Sequence, residues 1–365
     1  MKIAILGYGV VGSGAYEVAK TADNIEVKRV LHRRAVAELG DIVTTDYDDI
    51  INDREIELVA ECIGGLHPAY EYVAAAIKSG KHVVTPNNNL VAAYWNELHA
   101  LADQYGVELR FTASAGGGIP WLFNLRRQSR SDEILAISGI VNGTCNYILD
   151  TMHNEPVDFT EILAKAQALG YAEKDPTADI CGFDTQRKCV ISANLAFGLS
   201  ITEDEVPVFG IQNINAGDIK YFRQHSYTCK LLMNAGLTEY GAYAYVEPTL
   251  VGKGALEESV PANNNLISLT GNHIGTLSFY GQGAGKFPTG TSVIQDVLDI
   301  ESGWGFKAAD SKKINVTIDN AIESHRYYVR ENGERRITEP MSVAAAHEIA
   351  AKSSDDSFFM AGIRE

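Results

Sequence analysis

An aspartate and a lysine four residues apart give the clearest indication of chemistry in this sequence. The residues around Asp184 and Lys188 have a helical pattern, so both side chains are predicted to project from the same face. A lysine held beside a carboxylate on a rigid helix can pass a proton to or from a substrate hydroxyl. An isolated pair of this kind is more often a surface ion pair that contributes little to stability. The residues that precede the pair decide between these two interpretations.

Three more acidic residues precede the pair within a short polar segment. Glu173, Asp175 and Asp179 are close enough in sequence that we predict all four carboxylates to converge on Lys188. Asp175 stands before a proline, an arrangement that also resembles the start of a helix, with the acid as cap and the proline at the first helical position. Helix-start chemistry is the alternative explanation for these acids, and Asp175 is left outside the predicted site.

The N-terminus has the pattern of a strand, a glycine turn and a helix. Residues 2–6 predict the strand, a G-x-G-x-x-G turn follows it, and residues 13–20 predict the helix. In a dinucleotide-binding fold the first glycine permits the tight turn, the second lets the backbone approach a pyrophosphate, and the third allows close packing. A merely structural glycine turn is the alternative. The residues predicted to contact the nucleotide here are Gly7, Gly9, Val10, Val11 and Gly12.

The end of the second predicted strand, residues 25–31, indicates which nucleotide is preferred. NAD enzymes usually place an acid there to bind the ribose 2'-hydroxyl, whereas this chain continues with Arg33 and Arg34. A pair of arginines suits a 2'-phosphate, which an acid would repel. We therefore predict NADP(H) as the cofactor, with NAD as the alternative. A solvated basic loop is the explanation that involves no nucleotide.

Further strand and helix patterns extend the nucleotide-binding fold. The predicted strands are residues 58–63, 82–85 and 109–112, and the predicted helices are residues 69–79 and 90–105. In a doubly wound sheet the ligand crevice lies beyond the carboxyl ends of the strands. The residues that this rule places near the nicotinamide are Cys62, Ile63, Gly64, Pro86 and Asn87.

The pattern changes at residue 134, where β-rich segments with interposed helices begin. Residues 134–141 predict a strand, whereas residues 160–169 and 180–197 predict helices. The predicted fold class is α/β, with an N-terminal doubly wound Rossmann nucleotide-binding domain and an inserted mixed-sheet α+β substrate and dimerisation domain. The first domain is predicted to comprise residues 1–130 and to be completed by residues from about 281 to 315. The second domain is predicted at 131–280, and a short βαβ-like C-terminal extension at 316–365.

Composition excludes several classes of protein. The 365 residues are 45% hydrophobic and 21% charged, which is typical of a folded chain with room for two domains. A formal net charge of −16 disfavours a nucleic-acid partner, because non-specific binding to phosphates needs a cationic surface. The sequence shows neither a leader pattern nor a long apolar run, so we expect a cytoplasmic protein with no membrane partner. The five cysteines form no C-x-x-C pair and predict neither disulfides nor a zinc site.

Two stretches in the middle of the chain, residues 138–149 and 170–180, resemble the signature of homoserine dehydrogenases. The similarity extends from residue 2 to about residue 300 in several ordered motifs. Among them, residues 281–296 resemble the segment with which the family returns to the nucleotide domain. The resemblance implies a small amino-acid substrate and the NADP-dependent, reversible oxidation of L-homoserine to L-aspartate 4-semialdehyde.

The resemblance also implies a role for each matching residue. Lys188 is the proton donor and acceptor for the substrate oxygen, and Asp184 orients it. Glu173 and Asp179 receive the substrate ammonium group. The residues implied to line the rest of the substrate pocket are Gly143, Thr144 and Tyr171, and those implied to contact the cofactor are Gly170 and Gly285.

Two positions depart from the family pattern. Asn88 stands where relatives carry a second lysine that contacts the substrate, and replacing a charge-assisted hydrogen bond by a neutral one costs on the order of 1 to 2 kcal/mol. Thr112 stands where relatives carry a glutamate beside a monovalent-cation site, which weakens the case for bound sodium. The implied cation ligands are the backbone carbonyl groups of Ala115, Gly117 and Ile119.

The change at Asn88 leaves alternatives to a homoserine dehydrogenase open. One is a divergent relative that acts on another amino or hydroxy acid, and another is a non-catalytic regulator that senses a nucleotide. Retention of Asp184 and Lys188 favours the enzyme, because a sensor has no need of a proton-transfer lysine. The C-terminal extension is interpreted as a shortened remnant of the ACT domain of larger relatives, and a homodimer is expected.

Overall fold

The computed structural model describes residues 1–304 and 316–364, which divide into two compact units. Unit 1 comprises Met1–Arg127 and the described part of Gln282–Lys312. Unit 2 comprises Gln128–Gly281 and the described part of Lys313–Glu365. The second segment of unit 1 begins close to the predicted return at about residue 281, whereas the predicted end of that return, at about residue 315, lies outside the described residues.

The strands, in chain order, are β1 Lys2–Leu6, β2 Glu26–Leu31, β3 Val43–Thr44, β4 Leu58–Glu61, β5 His82–Val84, β6 Leu109–Arg110, β7 Ile134–Ile140, β8 Tyr227–Thr238, β9 Gly241–Gly252, β10 Asn264–Gly271, β11 Gly275–Gln282, β12 Ser324–Glu331, β13 Glu334–Ile337, β14 Met341–Ser342 and β15 Phe359–Arg364. The helices are α1 Val10–Ala19, α2 Asp48–Ile51, α3 Ala69–Lys78, α4 Asn88–Ala93, α5 Trp95–Tyr105, α6 Trp121–Gln128, α7 Gly143–Asn154, α8 Phe159–Ala168, α9 Thr177–Ile180, α10 Phe183–Phe197, α11 Ala216–Gln224, α12 Lys286–Glu301 and α13 Val343–Lys352. None of these described helices is both long and apolar enough to cross a bilayer.

Unit 1 is built around a sheet in the order β3-β2-β1-β4-β5-β6. Every neighbouring pair of strands in it is parallel. Strand β4 is buried along its whole length, and β1 is buried after its first residue, as expected where helices cover both faces of a parallel sheet. The direction of strand addition reverses between β1 and β4, so the ends of these two strands form the ligand crevice of a doubly wound fold. The predicted Rossmann fold is confirmed.

Two glycines bring helices α1 and α12 of unit 1 into backbone contact. A Cβ at Gly14 would collide with the carbonyl group of Lys286, and a Cβ at Gly290 would lie 2.6 Å from the backbone nitrogen of Ala15. Glycine permits this close approach because it has no side chain. The contact holds the first turns of α1, which follow the glycine turn, against the start of α12.

The predicted helix at residues 90–105 is interrupted in the structure. Helices α4 and α5 are separated by Tyr94, whose φ of −118° and ψ of 28° leave the helical range. The ring of Tyr94 stacks on that of Tyr70, with 4.2 Å between the ring centroids. This contact comes from outside the segment, so the local pattern of apolar residues does not reveal it. The prediction of a single helix is therefore wrong at this residue.

Unit 2 contains a mixed sheet in the order β11-β10-β7-β8-β9-β15-β12-β13, with β14 paired to β12. The neighbours from β10 to β9 are antiparallel, whereas β15 joins β9 in parallel. Helices α7, α10 and α11 pack against β8 near the centre of the sheet. The predicted mixed sheet is confirmed.

Helix α10, which carries the Asp184–Lys188 pair, begins later than predicted. The expected helix at residues 180–197 includes only the last residue of α9, and Gly182, whose φ of +86° is left-handed, separates that residue from α10. A Cβ at Gly182 would lie 2.8 Å from a methyl group of Val208, so the position needs glycine for space as well as for conformation. The chain thus turns between Asp179, on α9, and Asp184, on α10.

The C-terminal segment joins the sheet of unit 2. Asn332 and Gly333 have φ values of 50° and 80°, the left-handed conformations of a tight hairpin, and β13 follows them. Strand β12 is antiparallel to both β13 and β15. The predicted βαβ-like unit is therefore wrong in the number and direction of its strands, because the Asn-Gly pair forms a hairpin before the helix begins.

Candidate active site

The side chain of Lys188 lies in the interior of unit 2. Its Nζ donates to Oδ2 of Asp184 at 2.6 Å and to the carbonyl oxygen of Val141 at 2.8 Å. The side chains of Lys188 and Asp184 are 11% and 19% exposed, so this is not the solvated surface pair that was the alternative interpretation. Two charges withdrawn from water interact more strongly than exposed ones, and the hydrogen bonds around them fix their geometry.

Asn142 connects two of the acids. Its side-chain nitrogen donates to Oδ1 of Asp179 at 2.7 Å and to Oδ2 of Asp184 at 2.9 Å. Its side-chain oxygen accepts from the backbone N–H of Cys145 at 2.8 Å and so caps α7. Sequence reasoning missed Asn142 as a site residue. The available signal was its position before Gly143, at the junction of a predicted strand and a following helix.

The carboxyl group of Asp179 is partly buried, and this changes its titration. Burial raises its pKa above the ordinary value, and the nearby charge of Asp184 acts in the same direction. The hydrogen bond from Asn142 and the charge of Lys188 oppose the rise in pKa. The ionised form of Asp179 is therefore disfavoured in the folded protein, and a cation bound beside it would stabilise that form.

The predicted convergence of four acids on Lys188 is wrong. Within the described residues, Asp184 is the carboxylate that pairs with Lys188. Asp175 instead accepts from the backbone N–H and the hydroxyl of Thr177, at 3.1 and 2.6 Å. It therefore lies beside the start of α9, although the cap position of that helix is Pro176 and not Asp175. Glu173 is exposed, and Asp179 is connected to the pair through the amide described above.

The start of α7 gathers the other residues predicted to line the substrate pocket. The hydroxyl of Thr144 donates to the carbonyl oxygen of Tyr171 at 2.6 Å. A Cβ at Gly143 would lie 2.6 Å from the carbonyl oxygen of Asn263, so this turn of helix needs glycine. Gly170, which follows the end of α8, has a φ of +76° and precedes Tyr171. These residues therefore lie next to the helix cap that contacts both acids.

The glycine turn of unit 1 has the geometry that a pyrophosphate needs. Gly7 has a φ of +93°, and Gly12 packs so closely on the carbonyl group of Gly7 that a Cβ would collide. At Gly9, by contrast, the described residues leave the surroundings of a Cβ empty. The first turn of α1 contains no acidic residue that would repel an anion, and Val10 there is 67% exposed. The turn therefore fits a dinucleotide.

A buried hydrogen-bond network joins the ends of β4 and β5. The buried carboxylate of Glu61 accepts from two backbone N–H groups of the turn after β4, at 2.6 and 3.0 Å, and from the Thr85 hydroxyl at 2.6 Å. The side chain of Asn87 donates to the carbonyl oxygen of Gly65 at 2.7 Å. Sequence reasoning missed Glu61, although an acid at the end of an apolar strand was the signal. The turns fixed by this network contain the predicted cofactor contacts Cys62, Ile63, Gly64, Pro86 and Asn87.

Arg33 and Arg34 lie exposed just beyond β2, where the chain bends. The same loop contains Glu38, whose carboxylate accepts from the hydroxyl of Tyr8 at 3.0 Å, so the loop is tied to the glycine turn. Burial, together with the carboxylate of Glu38, raises the pKa of Tyr8 to about 12. The loop after β2 therefore carries the two predicted cations in a position linked to the nucleotide turn.

Two other predicted site residues lie at helix starts in unit 1. Asn88 is the first residue of α4, a helix that Asn87 caps by accepting from the backbone N–H of Leu90 at 3.1 Å. Gly285 precedes α12 and has a φ of +127°, a conformation that favours glycine. Asn88 is half-buried and Gly285 is exposed, so both can be reached by a ligand.

The predicted cation position is surrounded by hydrogen bonds within unit 1. The backbone N–H of Thr112 donates to Asp296 at 2.9 Å, and its hydroxyl donates to the same carboxylate. This bonding explains why β6 ends before the predicted strand end at residue 112. The carbonyl oxygen of Gly117 accepts from the hydroxyl of Ser292 at 2.7 Å. The other two implied ligands belong to the buried residues Ala115 and Ile119, and cation binding here stays a prediction.

Segments of both units match models of the same protein family. The family model for homoserine dehydrogenase matches residues 120–298, and that for the homoserine dehydrogenase NAD binding domain matches residues 7–112. A homoserine dehydrogenase from Synechocystis sp. is 39% identical over 316 residues, which is 82% of this chain and 73% of that protein. One from Bacillus subtilis is 36% identical over 314 residues, which is 82% of this chain and 72% of that protein.

Solved structures agree with the sequence relatives. The crystal structure of a homoserine dehydrogenase from Thiobacillus denitrificans matches with a TM-score of 0.87 and 29% identity, covering 100% of this chain and 98% of that one. A crystal structure of S. aureus homoserine dehydrogenase matches with a TM-score of 0.74 and 29% identity, covering 100% of this chain and 94% of that one. The similarity thus includes the C-terminal segment of unit 2 as well as the Rossmann fold.

We expect Asp179→Asn to stabilise the protein at about pH 8 but much less at about pH 4. Because the pKa of Asp179 is raised in the folded state, the wild type loses stability as the pH rises from about 4, where an unfolded carboxyl titrates, through the folded-state pKa. The amide has no charge and escapes this loss. Unfolding temperatures of both proteins at the two pH values measure the difference.

Asp158→Asn is the matched control, because Asp158 is an exposed acid at the start of α8 with no side-chain cap bond. It should leave the unfolding temperature unchanged at both pH values. An advantage of Asp179→Asn that is equally large at both pH values would contradict the assigned shift in pKa.

Proposed function

The chain belongs to the homoserine dehydrogenase family and interconverts L-homoserine and L-aspartate 4-semialdehyde with a nicotinamide nucleotide, and we propose that Lys188 transfers the proton in this reaction. The observation that carries the proposal is the largely buried pair that Lys188 forms with Asp184 at 2.6 Å. Position, charge and a fixed hydrogen-bond partner are what a general acid and base requires.

Lys188 has one donor more than its protein partners use. Of the three N–H bonds of an ammonium group, Asp184 and Val141 take two in the described structure. The third donates to the carbonyl oxygen of the semialdehyde, and the proton moves to that oxygen as the aldehyde is reduced. In the opposite direction the neutral amine accepts the proton of the homoserine hydroxyl. When bound, the nicotinamide gives or takes the hydride.

Asp184 positions the amine in this proposal. Its carboxylate accepts from both Lys188 and Asn142, at 2.6 and 2.9 Å, so it cannot rotate without losing partners in a poorly solvated place. Asp184 therefore fixes the position of the group that transfers the proton.

We assign the substrate ammonium group to Asp179 and Glu173. Asp179 is partly buried, so water screens the attraction between its carboxylate and a cation placed beside it less than at an exposed acid. Glu173 is exposed and adds a weaker, screened attraction. The residues proposed to line the rest of the substrate pocket are Gly143, Thr144 and Tyr171, with Asn88 beside the substrate carboxylate.

We propose NADP(H) as the preferred nucleotide. Arg33 and Arg34 are exposed cations beyond the end of β2, and guanidinium groups bind phosphate in bidentate fashion. The open backbone at Gly9 supports binding of the pyrophosphate at the start of α1. The contacts proposed for the rest of the nucleotide are Gly7, Val10, Val11, Gly12, Cys62, Ile63, Gly64, Pro86, Asn87, Gly170 and Gly285.

The alternatives raised by Asn88 are not favoured. Relatives that match over most of this chain are homoserine dehydrogenases, so neither a sensor without catalysis nor an enzyme for another acid is the better explanation. The proposal also includes a nucleotide-binding domain at 1–130, completed by about 281–315, and a substrate domain at 131–280. A homodimer and a cytoplasmic location stay predictions.

We expect Lys188→Ala to lower kcat in both directions by about a hundredfold to ten-thousandfold, because the general acid and base is lost. Nucleotide affinity should not change, since the proposed role concerns only the substrate proton. Absorbance assays with homoserine and with the semialdehyde, and a fluorescence titration with NADPH, provide the two measurements.

The control for this variant is Lys352→Ala. This variant removes an exposed ion pair, Glu348–Lys352 on α13, whose residues have the same spacing as Asp184 and Lys188. Because the pair is solvated, kcat should stay at the wild-type value. If Lys188→Ala kept more than about a tenth of the wild-type kcat, Lys188 would not be the proton donor.

We expect the double substitution Arg33→Ala and Arg34→Ala to raise the KM for NADPH about tenfold or more, because charge-assisted hydrogen bonds to the 2'-phosphate are lost. The KM for NADH should change less than about twofold, since NADH has no such phosphate. Arg54→Ala, an exposed arginine before β4, is the matched control. A wild-type preference for NADH would defeat the NADP assignment.

We expect Asn88→Lys to increase kcat/KM for homoserine about tenfold, because a charge-assisted hydrogen bond replaces a neutral one. Asn89→Lys adds the same charge at the next residue of α4 and should not produce the gain. Steady-state assays at limiting homoserine measure the ratio. An unchanged or lower ratio for Asn88→Lys would show that Asn88 does not face the substrate carboxylate.

A further inference from the structure

A second lysine of unit 2, Lys230, is fully buried and takes no part in the proton transfer proposed above. It lies in β8, and its Nζ donates to Oδ1 of Asn146 at 2.9 Å and to the carbonyl oxygen of Val260 at 2.8 Å. No carboxylate forms an ion pair with it in the parts of the chain that the structure describes. Burial lowers its pKa to about 8, against an opposing attraction from Asp150. A buried cation with neutral partners is unfavourable for stability, so another role explains it better.

Asn146 extends this contact to the loop formed by residues 260–264. Its Nδ2 donates to the carbonyl oxygens of Val260, Ala262 and Asn264, at 3.2, 2.8 and 3.3 Å. Asp150, one helical turn later, accepts from the backbone N–H of Ala262 at 2.8 Å. Ala262 has a φ of 53°, a left-handed conformation that is strained for alanine. The loop keeps this conformation because side chains of α7 bind both backbone groups of Ala262.

The contacts of Lys230 lead back to the proposed substrate site. Asn142, Asn146 and Asp150 recur every four residues and so share one face of α7. Asn142 contacts the two site acids, whereas Asn146 and Asp150 hold the loop. The loop in turn meets the helix start, because the carbonyl oxygen of Asn263 lies against Gly143. We call Lys230, Asn146, Asp150 and the loop 260–264 the α7 clamp.

We propose that Lys230 is a positioning residue for substrate binding, which holds the loop 260–264 against the first turns of α7 and so places Asn142 and Thr144. The inference rests on the proposed function, because it assigns these residues to the substrate site. Lys230 acts on the loop through Asn146 and Val260. Without its two bonds, the Asn146 amide loses the donor that orients it towards Ala262, the carbonyl oxygen of Val260 loses a partner, and the loop is held less firmly against Gly143. Substrate affinity then falls, while Lys188 keeps its bonds to Asp184 and to the carbonyl oxygen of Val141.

The test is the steady-state kinetics of Lys230→Met, a change that keeps a long unbranched side chain and removes its donors. The expected result is a KM for homoserine raised at least about tenfold, with kcat within about threefold and the KM for NADPH within about twofold of wild type. Val329→Ala is the matched control, because it removes buried apolar volume from β12. It should lower the unfolding temperature and leave all three kinetic constants unchanged.

Asn146→Asp covers the case in which Lys230→Met does not fold. It keeps an acceptor for Lys230, removes the donors to the loop, and should raise the KM for homoserine in the same way. A folded Lys230→Met or Asn146→Asp enzyme with a homoserine KM within about twofold of wild type overturns the inference, whatever its unfolding temperature. Full activity of Lys188→Ala would instead overturn the proposed function, so the two failures are distinguishable.

Discussion

The burial of the Lys188 ammonium group is the constraint on which the rest of the site depends. A buried cation is tolerated when a carboxylate and further acceptors surround it, and here Asp184 and the carbonyl oxygen of Val141 meet that requirement. Val141 follows β7, whereas Asp184 belongs to α10, so the pair fixes the end of a strand relative to a helix that packs on β8. The same requirement involves Asn142, because Asp184 also accepts from its amide. The geometry of the proposed site and the packing of the core therefore have a common origin.

Helix α7 carries this constraint further into unit 2. Asn142 contacts the acid that pairs with Lys188, and Asn146 accepts from Lys230, so polar residues one turn apart are bonded to the surroundings of two buried lysines. A helix held at both points cannot rotate about its axis without breaking hydrogen bonds in the interior. Each buried group left without a partner costs about 1 to 3 kcal/mol, which is large beside the usual free energy of unfolding. The rigidity of the site thus follows from polar groups that water does not reach.

Spacing in the sequence predicted those parts of the fold that depend on neighbouring residues. The contact between Asp184 and Lys188 follows from helix geometry, and the nucleotide turn follows from its glycines, so both could be inferred before the fold was known. The bridge made by Asn142 could not, because it joins segments that approach one another only after the chain turns at Gly182. The break at Tyr94 depends likewise on an aromatic ring from another helix. The hairpin after β12 is different, since its Asn-Gly pair was a local signal for a strand that was not predicted.

The two acids proposed for the substrate ammonium group differ in how much selectivity each can provide. Glu173 is exposed, and water and salt screen its charge, so it attracts any nearby cation without fixing its position. Asp179 is partly buried with a raised pKa, so a cation held at the right place adds to the stabilisation that Asn142 and Lys188 give its ionised form. That place is set by Asn142, which binds Asp179 and Asp184 through one amide group. A single asparagine therefore fixes the position of an ammonium group at Asp179 relative to Lys188. A substrate without the amine would leave the charge of Asp179 without a cationic partner.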